Sequence, residues 1–166
     1  METTKRLLDL SERALAVACV IAFIVMFVLG IATVFFRYVV ESSLAFPDEM
    51  IRYLFIWMIF LGSGIAFRRN MHAAIGVFVN NLPASMKRAA LILATLACGL
   101  FFAVLFWSGL MTTMRVQTQI SPALEISMAW VYGAVPVGMV FLFVYAAELL
   151  AKQLRAPAGE LLADDH

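Results

Sequence analysis

Residues 14–36 read ALAVACVIAFIVMFVLGIATVFF, 23 consecutive positions without Lys, Arg, Asp or Glu. A helix rises about 1.5 Å per residue and the hydrocarbon core of a bilayer is roughly 30 Å thick, so a run of this length crosses unaided. Outward along the chain the same signature recurs: residues 53–67, 89–114 and 126–147 are also free of charge, over 15, 26 and 22 positions. The 15-residue run is short by itself. Counted from Pro47 to Phe67 it becomes long enough, with Asp48, Glu49 and Arg52 at one end and Arg68 and Arg69, whose long stems can snorkel, at the other. Of 166 residues 64% are hydrophobic and only 14% charged, outside the range of soluble domains. The runs predict an all-α integral membrane fold, one domain over 1–155 with four transmembrane helices near 14–38, 47–68, 85–114 and 126–150, then a polar tail over 156–166. With roughly 90 positions in spans, the connectors are too short to bury a separate soluble core, which excludes an appended enzymatic domain.

The basic residues set an orientation. Lys5, Arg6, Arg13, Arg68, Arg69, Lys87, Arg88, Lys152 and Arg155 all fall before the first span, between the second and third, or after the fourth. Only Arg37, Arg52 and Arg115 occupy the other two connectors, together with the acids Glu41, Asp48, Glu49 and Glu125. By the positive-inside rule both termini face the cytoplasm. A net charge of +1, dispersed in this way, forms no nucleic-acid-binding face. Cys19 and Cys98 lie inside apolar runs and imply no disulfide framework. The first apolar run is long and has no small-residue cleavage site before Arg37, so it is read as a retained span and not as a signal peptide.

Ahead of that span, Lys5, Arg6, Asp9, Glu12 and Arg13 share one side of a helix and Leu7, Leu8, Leu10, Ala14 and Leu15 the rest, which predicts an amphipathic lead-in helix, with a solvated first turn of the span as the alternative. Pro47 suits the first position of the second span. Asp48 and Glu49 sit where the helix dipole favours anions, with Asp48 and Arg52 spaced as an i, i+4 pair. Between spans two and three, Ile75, Phe78, Val79 and Leu82 recur at helical spacing and predict a short cytoplasmic interfacial helix, broken by Asn80, Asn81 and Pro83. The connector QTQISPALE at 117–125 reads as a proline-containing turn leading to the interfacial aromatics Trp130 and Tyr132.

Function turns on what the spans lack. A carrier needs polar groups near the midplane, commonly on interrupted helices. From Ala14 to Ala32 there is no hydroxyl, amide or charge, the third span offers only Thr95 before Ser108, and Pro136 is the sole helix breaker deep in a span. One such chain cannot build a substrate site, so an accessory subunit packed against another membrane protein is the better reading. The four-residue spacings Gly62 with Ala66, Ala94 with Cys98, Gly99 with Ala103 and Ala134 with Gly138 permit close helix approach, either to a partner or within the bundle.

No cofactor is expected. Haem anchoring wants paired histidines within spans, whereas His72 lies in a connector and the other histidine is His166. The ten Met residues are spread over all segments and fill gaps rather than bind metal. Asp48 and Glu49 diverge around a helix, with Arg52 competing for them, so an ion-pair cluster outweighs a cation site.

FFRYVV at 35–40, FPDEMIRYLFIWMIFLG at 46–62, AFRRNMH at 66–72 and QISPALEISMAWVYGAVPVG at 119–138, in that order, resemble the small membrane subunit of tripartite ATP-independent periplasmic (TRAP) transporters. The likeness covers nearly everything between Arg37 and Gly138, with a proline inserted before the two acids and Asn70 and Met71 in place of smaller residues. The resemblance implies a large membrane transport subunit that carries sodium and an organic anion, of the carboxylate or sialic acid class, and a periplasmic substrate-binding protein. This chain would be a scaffold beside the large subunit that widens the landing surface, with sodium held by the partner.

Three groups of residues follow as candidates. Arg37, Asp48, Glu49 and Arg52 form an outer charge cluster in which Arg37 pairs with Asp48 or Glu49 and supports subunit assembly. Arg68, Arg69, Lys87 and Arg88 form a cytoplasmic basic rim facing anionic phospholipid. Arg115, Gln119 and Glu125 offer a polar contact to the binding protein. The competing readings are a free-standing small multidrug exporter or channel, which would want an acid in the first span, and a membrane anchor of a respiratory enzyme, which would want histidines within spans.

Overall fold

Inside a bilayer no water satisfies backbone N–H and C=O groups, so apolar runs of this length close their hydrogen bonds within the segment as helices. The computed structural model describes residues 2–41, 45–79 and 84–155. Their elements are α1 (Glu2–Tyr38), α2 (Phe46–Val79), α3 (Ala84–Arg115), α4 (Ala129–Tyr132) and α5 (Ala134–Arg155). Four segments are long and apolar enough to cross a membrane: Arg6–Tyr38, Phe46–Arg69, Ala89–Arg115 and Ala129–Leu154. The fold is all-α with four membrane-spanning helices.

Two expected separations are absent. The lead-in and the first span form one helix of 37 residues, and α2 continues without interruption to Val79, 34 residues in all. The stretch expected as an independent interfacial helix is therefore a continuation of the second span, since no proline lies between Arg69 and Val79 to stop it. Its side chains, Asn80 to Pro83 and the tail 156–166 lie outside the described residues.

Pro136 turns out not to be deep in a helix. It lies in the first turn of α5, and the chain passes from α4 to α5 through Gly133. Proline has no N–H to give the carbonyl four residues back, here that of Tyr132, and its ring crowds that carbonyl. The one-residue interruption falls where that constraint places it.

The helices pack in the order α1, α2, α5, α3, with α2 and α3 touching only slightly and α1 reaching neither α3 nor α5 by close backbone approach. This is an open row rather than a closed ring. The buried cluster Phe102, Met139, Leu142 and Ala146 is shared by α3 and α5, and Phe60 and Phe67 of α2 pack against it. Phe67 and Phe102 meet edge to face at 5.2 Å. Buried Thr95 places its hydroxyl 2.9 Å from the Leu91 carbonyl and 3.0 Å from Gln153 Oε1, a polar tie between α3 and α5. Large apolar side chains of α1 such as Phe23, Phe27 and Ile31, and of α3 such as Leu93, Leu100 and Trp107, remain exposed.

Glycine sets the closest contacts. A Cβ on Gly138 would lie 2.8 Å from Phe60 Cβ and 2.9 Å from the Phe60 carbonyl oxygen, and one on Gly109 would lie 2.7 Å from Val135 Cγ1. Gly62 faces Cys19 Sγ at 3.9 Å, whereas Gly99 faces open space. Ala134 and Gly138 thus serve packing within the row. Gly138→Leu is expected to push α2 off α5 and cost about 1–3 kcal/mol or more. Gly99→Leu should be close to neutral. Thermal unfolding in detergent compares the two, and an equal effect would contradict this packing.

Candidate functional site

Polar side chains gather at the two ends of the row. One end, formed by the connectors after α1 and α3, is here the loop end; the other carries the beginning of α1 and the last turns of α5 and is the terminal end. Between them, residues 14–36, 53–67, 89–114 and 126–147 hold no Asp, Glu, Lys, Arg or His.

At the loop end Arg37 lies 3.8 Å from Asp48, both side chains about half exposed (54% and 51%). Such a pair contributes at most about 1 kcal/mol. The spaced pair expected between Asp48 and Arg52 is not formed. Arg52 is exposed and enters no ion pair among the described residues.

Glu49 departs from the expected ion-pair cluster altogether. It is only 8% exposed, and its carboxylate turns toward the connector after α3. Oε1 accepts a 2.6 Å bond from the Tyr53 hydroxyl. Oε2 accepts from the backbone N–H groups of Ala123 and Leu124, each at 2.9 Å, and from the Ser121 hydroxyl at 3.2 Å. Four donors around one carboxylate satisfy it without a cation. The receiving segment is itself ordered by backbone bonds, Ser121 N–H to Ile126 O at 2.9 Å and Met128 N–H to Gln119 O at 2.8 Å. Ser127 Oγ donates to Gln117 O at 2.8 Å. Glu125 sits at the tip of this small hairpin with φ 53°, the left-handed region, and is exposed, as are Arg115 and Gln119. Trp57 Nε1 donates to the Trp130 carbonyl at 3.0 Å and joins α2 to α4.

At the terminal end Arg68 is the hub. Its Nη1 reaches Glu12 Oε2 at 2.5 Å and the Leu8 carbonyl at 3.2 Å, Nη2 reaches Asp9 at 2.7 Å, and Nε reaches Glu148 at 3.2 Å. The guanidinium also lies 5.4 Å from the centre of the Tyr145 ring. Tyr145 OH and Ser11 Oγ are 3.1 Å apart. Arg69 binds Glu12 at 2.7 Å and Lys152 binds Glu148 at 2.9 Å, so among the described residues three cations face three carboxylates. The side chains of Arg68, Glu12 and Glu148 are only 14%, 16% and 12% exposed.

This corrects the expected lipid-facing role of Arg68, whose donors are turned inward onto α1 and α5. Arg69 is exposed but also paired with Glu12, and the side chains of Lys87 and Arg88 lie outside the described residues. Sequence reading missed Glu148, the first charge after a 22-residue apolar run, and took Asp9 and Glu12 only as part of the polar side of an amphipathic lead-in helix. Their i, i+3 spacing at the level of a span-terminal arginine was the available signal.

No group of three His, Cys, Asp or Glu that could hold a metal occurs among the described residues. The arrangement binds helices to one another and leaves wide apolar faces.

A family model described as tripartite ATP-independent periplasmic transporters, DctQ component, matches residues 26–156. Over 72 residues, 43% of this chain and 45% of the relative, there is 39% identity to a candidate TRAP transporter small permease protein of Haemophilus influenzae. Over 129 residues, 75% of this chain and 55% of the relative, there is 31% identity to the C4-dicarboxylate TRAP transporter small permease protein DctQ of Rhodobacter capsulatus. A second Haemophilus influenzae candidate small permease is 25% identical over 132 residues, 80% of each chain. The chain thus spans about half the length of the first two relatives. The family match runs from the middle of α1 past the end of α5 and takes in Glu49 with the hairpin that receives it, Arg68 and Glu148. By that extent, the open four-span row built on these two polar ends belongs to the DctQ component family of TRAP transporters, a family of transporter parts and not of enzymes.

Proposed function

We propose that the chain is the accessory, scaffold-type small permease subunit of a sodium-coupled secondary transporter for organic anions in the bacterial inner membrane. The observation that carries this reading is the open row. α1 and α3 expose large apolar side chains along their lengths, while residues 14–36, 53–67, 89–114 and 126–147 hold no Asp, Glu, Lys, Arg or His at which a solute or ion could bind. A large transport subunit packs against part of that surface and holds both sodium and solute. The solute is of the carboxylate or sialic acid class, and the names of relatives in Rhodobacter capsulatus and Vibrio cholerae, which specify C4-dicarboxylates, support the former. Glu49 holds the hairpin at 116–128 rigidly, and exposed Arg115, Gln119 and Glu125 on it offer a polar, salt-sensitive contact to a periplasmic binding protein.

Proteoliposome uptake of a C4-dicarboxylate under a sodium gradient tests the reading. The chain alone should transport nothing, and the chain with the large subunit and binding protein should transport. Alanine at Arg115, Gln119 and Glu125 together should lower uptake at limiting binding protein and be rescued by excess. Uptake by the chain alone would overturn the accessory role, and loss without rescue would remove the hairpin from the docking surface.

Nine basic residues on the terminal side against three on the loop side support an orientation with both termini in the cytoplasm. A reporter active only outside the cytoplasm should be silent after Arg155 and active near Thr118. The reverse pattern would invert the assignment.

A further inference from the structure

At the loop end an open groove of about 510 Å³ runs between α2 and the segment formed by α4 and the start of α5. Arg52 stands at its mouth, Ile56 and Phe60 form one wall, and Val131 and Val135 the other. From Arg52 to Phe60 is eight residues of helix, so the groove descends about 12 Å along the membrane normal. Its mouth lies at headgroup level, because exposed Trp130 and Tyr132 stand beside it and such rings favour that depth.

Charge at the mouth is unevenly matched. Asp48 has Arg37, and Glu49 has four hydrogen-bond donors, but the Arg52 guanidinium has no ion-pair partner among the described residues. Below it the walls are aliphatic and aromatic. The nearby polar atoms are already engaged, the Tyr53 hydroxyl by Glu49 and the Trp130 carbonyl by Trp57. An extended peptide would find nothing there to satisfy its backbone, whereas an alkyl chain needs nothing. Guanidinium matches phosphate oxygens bidentately.

We propose that this groove is a phospholipid site, with the phosphate on Arg52 and one acyl chain along Ile56, Phe60, Val131 and Val135. The lipid fills the gap between α2 and α4 and so supports the segment that carries the hairpin. This site is separate from the basic terminal end, where Arg68 is already paired with three carboxylates, and does not depend on which solute the transporter carries.

The test uses the full chain, extracted in mild detergent with whatever membrane partners accompany it, stripped of loose lipid and titrated with phosphatidylglycerol or with a phosphate-free diacylglycerol of the same chains. Wild type should rebind phosphatidylglycerol and not diacylglycerol. Arg52→Gln should weaken rebinding about five-fold or more, the loss of one basic contact near a membrane surface, while Arg52→Lys keeps most of it. Ile56→Trp, which fills the groove, should block rebinding with little change in thermal unfolding. Equal rebinding by Arg52→Gln and wild type would overturn the site. So would a photo-crosslinker at Ile56 that captures a protein segment instead of lipid, since the groove would then be an interface between chains.

Discussion

Arg68→Leu is expected to free the terminal end of α1 from α5 and to lower stability more than any other single charge removal in the chain. The substitution leaves Asp9, Glu12 and Glu148 facing one another, with Arg69 and Lys152, among the described residues, to compensate them from the outside. Removing one partner of a buried ion pair costs about 3–5 kcal/mol, and the slight exposure of these groups puts the expected loss near the lower end, about 3 kcal/mol. α1 packs closely on α2 alone, so no other contact of similar strength replaces the bridge to Glu148. Lysine should rescue only in part, because one ammonium cannot reach the acceptors on both α1 and α5 that the planar fork reaches together. Arg69→Ala, at a side chain 66% exposed, should cost little. Thermal unfolding of the detergent-solubilised series checks this, and an Arg68→Leu protein as stable as wild type would show that the cluster is solvated and weak.

Removing the carboxylate of Glu49 should have the second largest effect, and a more local one. Glu49→Ala strands the N–H groups of Ala123 and Leu124 and the hydroxyls of Tyr53 and Ser121, all of which now point at one acceptor side chain. Exchange of the Ala123 and Leu124 amides should accelerate roughly ten-fold or more, since each loses a charge-assisted hydrogen bond. The hairpin should also become cleavable by protease near Glu125, while α2 and α5 stay intact. Glu49→Gln should be intermediate, its amide keeping one acceptor oxygen. Asp48→Ala, one residue earlier but half exposed, should leave both amides protected. Unchanged exchange in Glu49→Ala would mean that the hairpin holds itself through its own backbone bonds.

Both predictions rest on contacts that no local pattern encodes. Three of the four spans were legible because desolvation of charge is so costly that charge-free runs of 22 to 26 residues admit few other readings, and the second became so once its 15-residue run was extended back to Pro47. The order of helices was not. Lipid accepts apolar side chains as readily as a core does, so exposed Phe27 on α1 and buried Phe102 on α3 look alike in sequence. Glu49 was legible as an acid at a helix start, a position its dipole favours. That its carboxylate would meet backbone N–H groups of residues 123 and 124 depends on α2 and the connector after α3 meeting in space, about 75 residues apart along the chain. Arg68 was likewise legible as the end of a span, and snorkelling to lipid was the reasonable expectation for an arginine seen alone. Its actual partners come from α1 and α5, which sequence gave no reason to bring to the same point. The separate interfacial helix failed for a simpler reason: amphipathic spacing identifies a helix but not where it begins, and nothing after Arg69 terminates α2.

On the proposed function, this open row is one part of a larger membrane assembly, its exposed α1 and α3 surfaces partly covered by a bigger transport subunit. Native mass measurement of the full chain, extracted from its own membrane in mild detergent, addresses that directly. The account predicts that the chain emerges with one much larger polytopic protein, and that apolar-to-charged substitution at exposed positions of α1 or α3, such as Phe27 or Leu100, dissociates the pair without unfolding the row. A chain that emerges alone or only with copies of itself, and that resists dissociation by those substitutions, would contradict it.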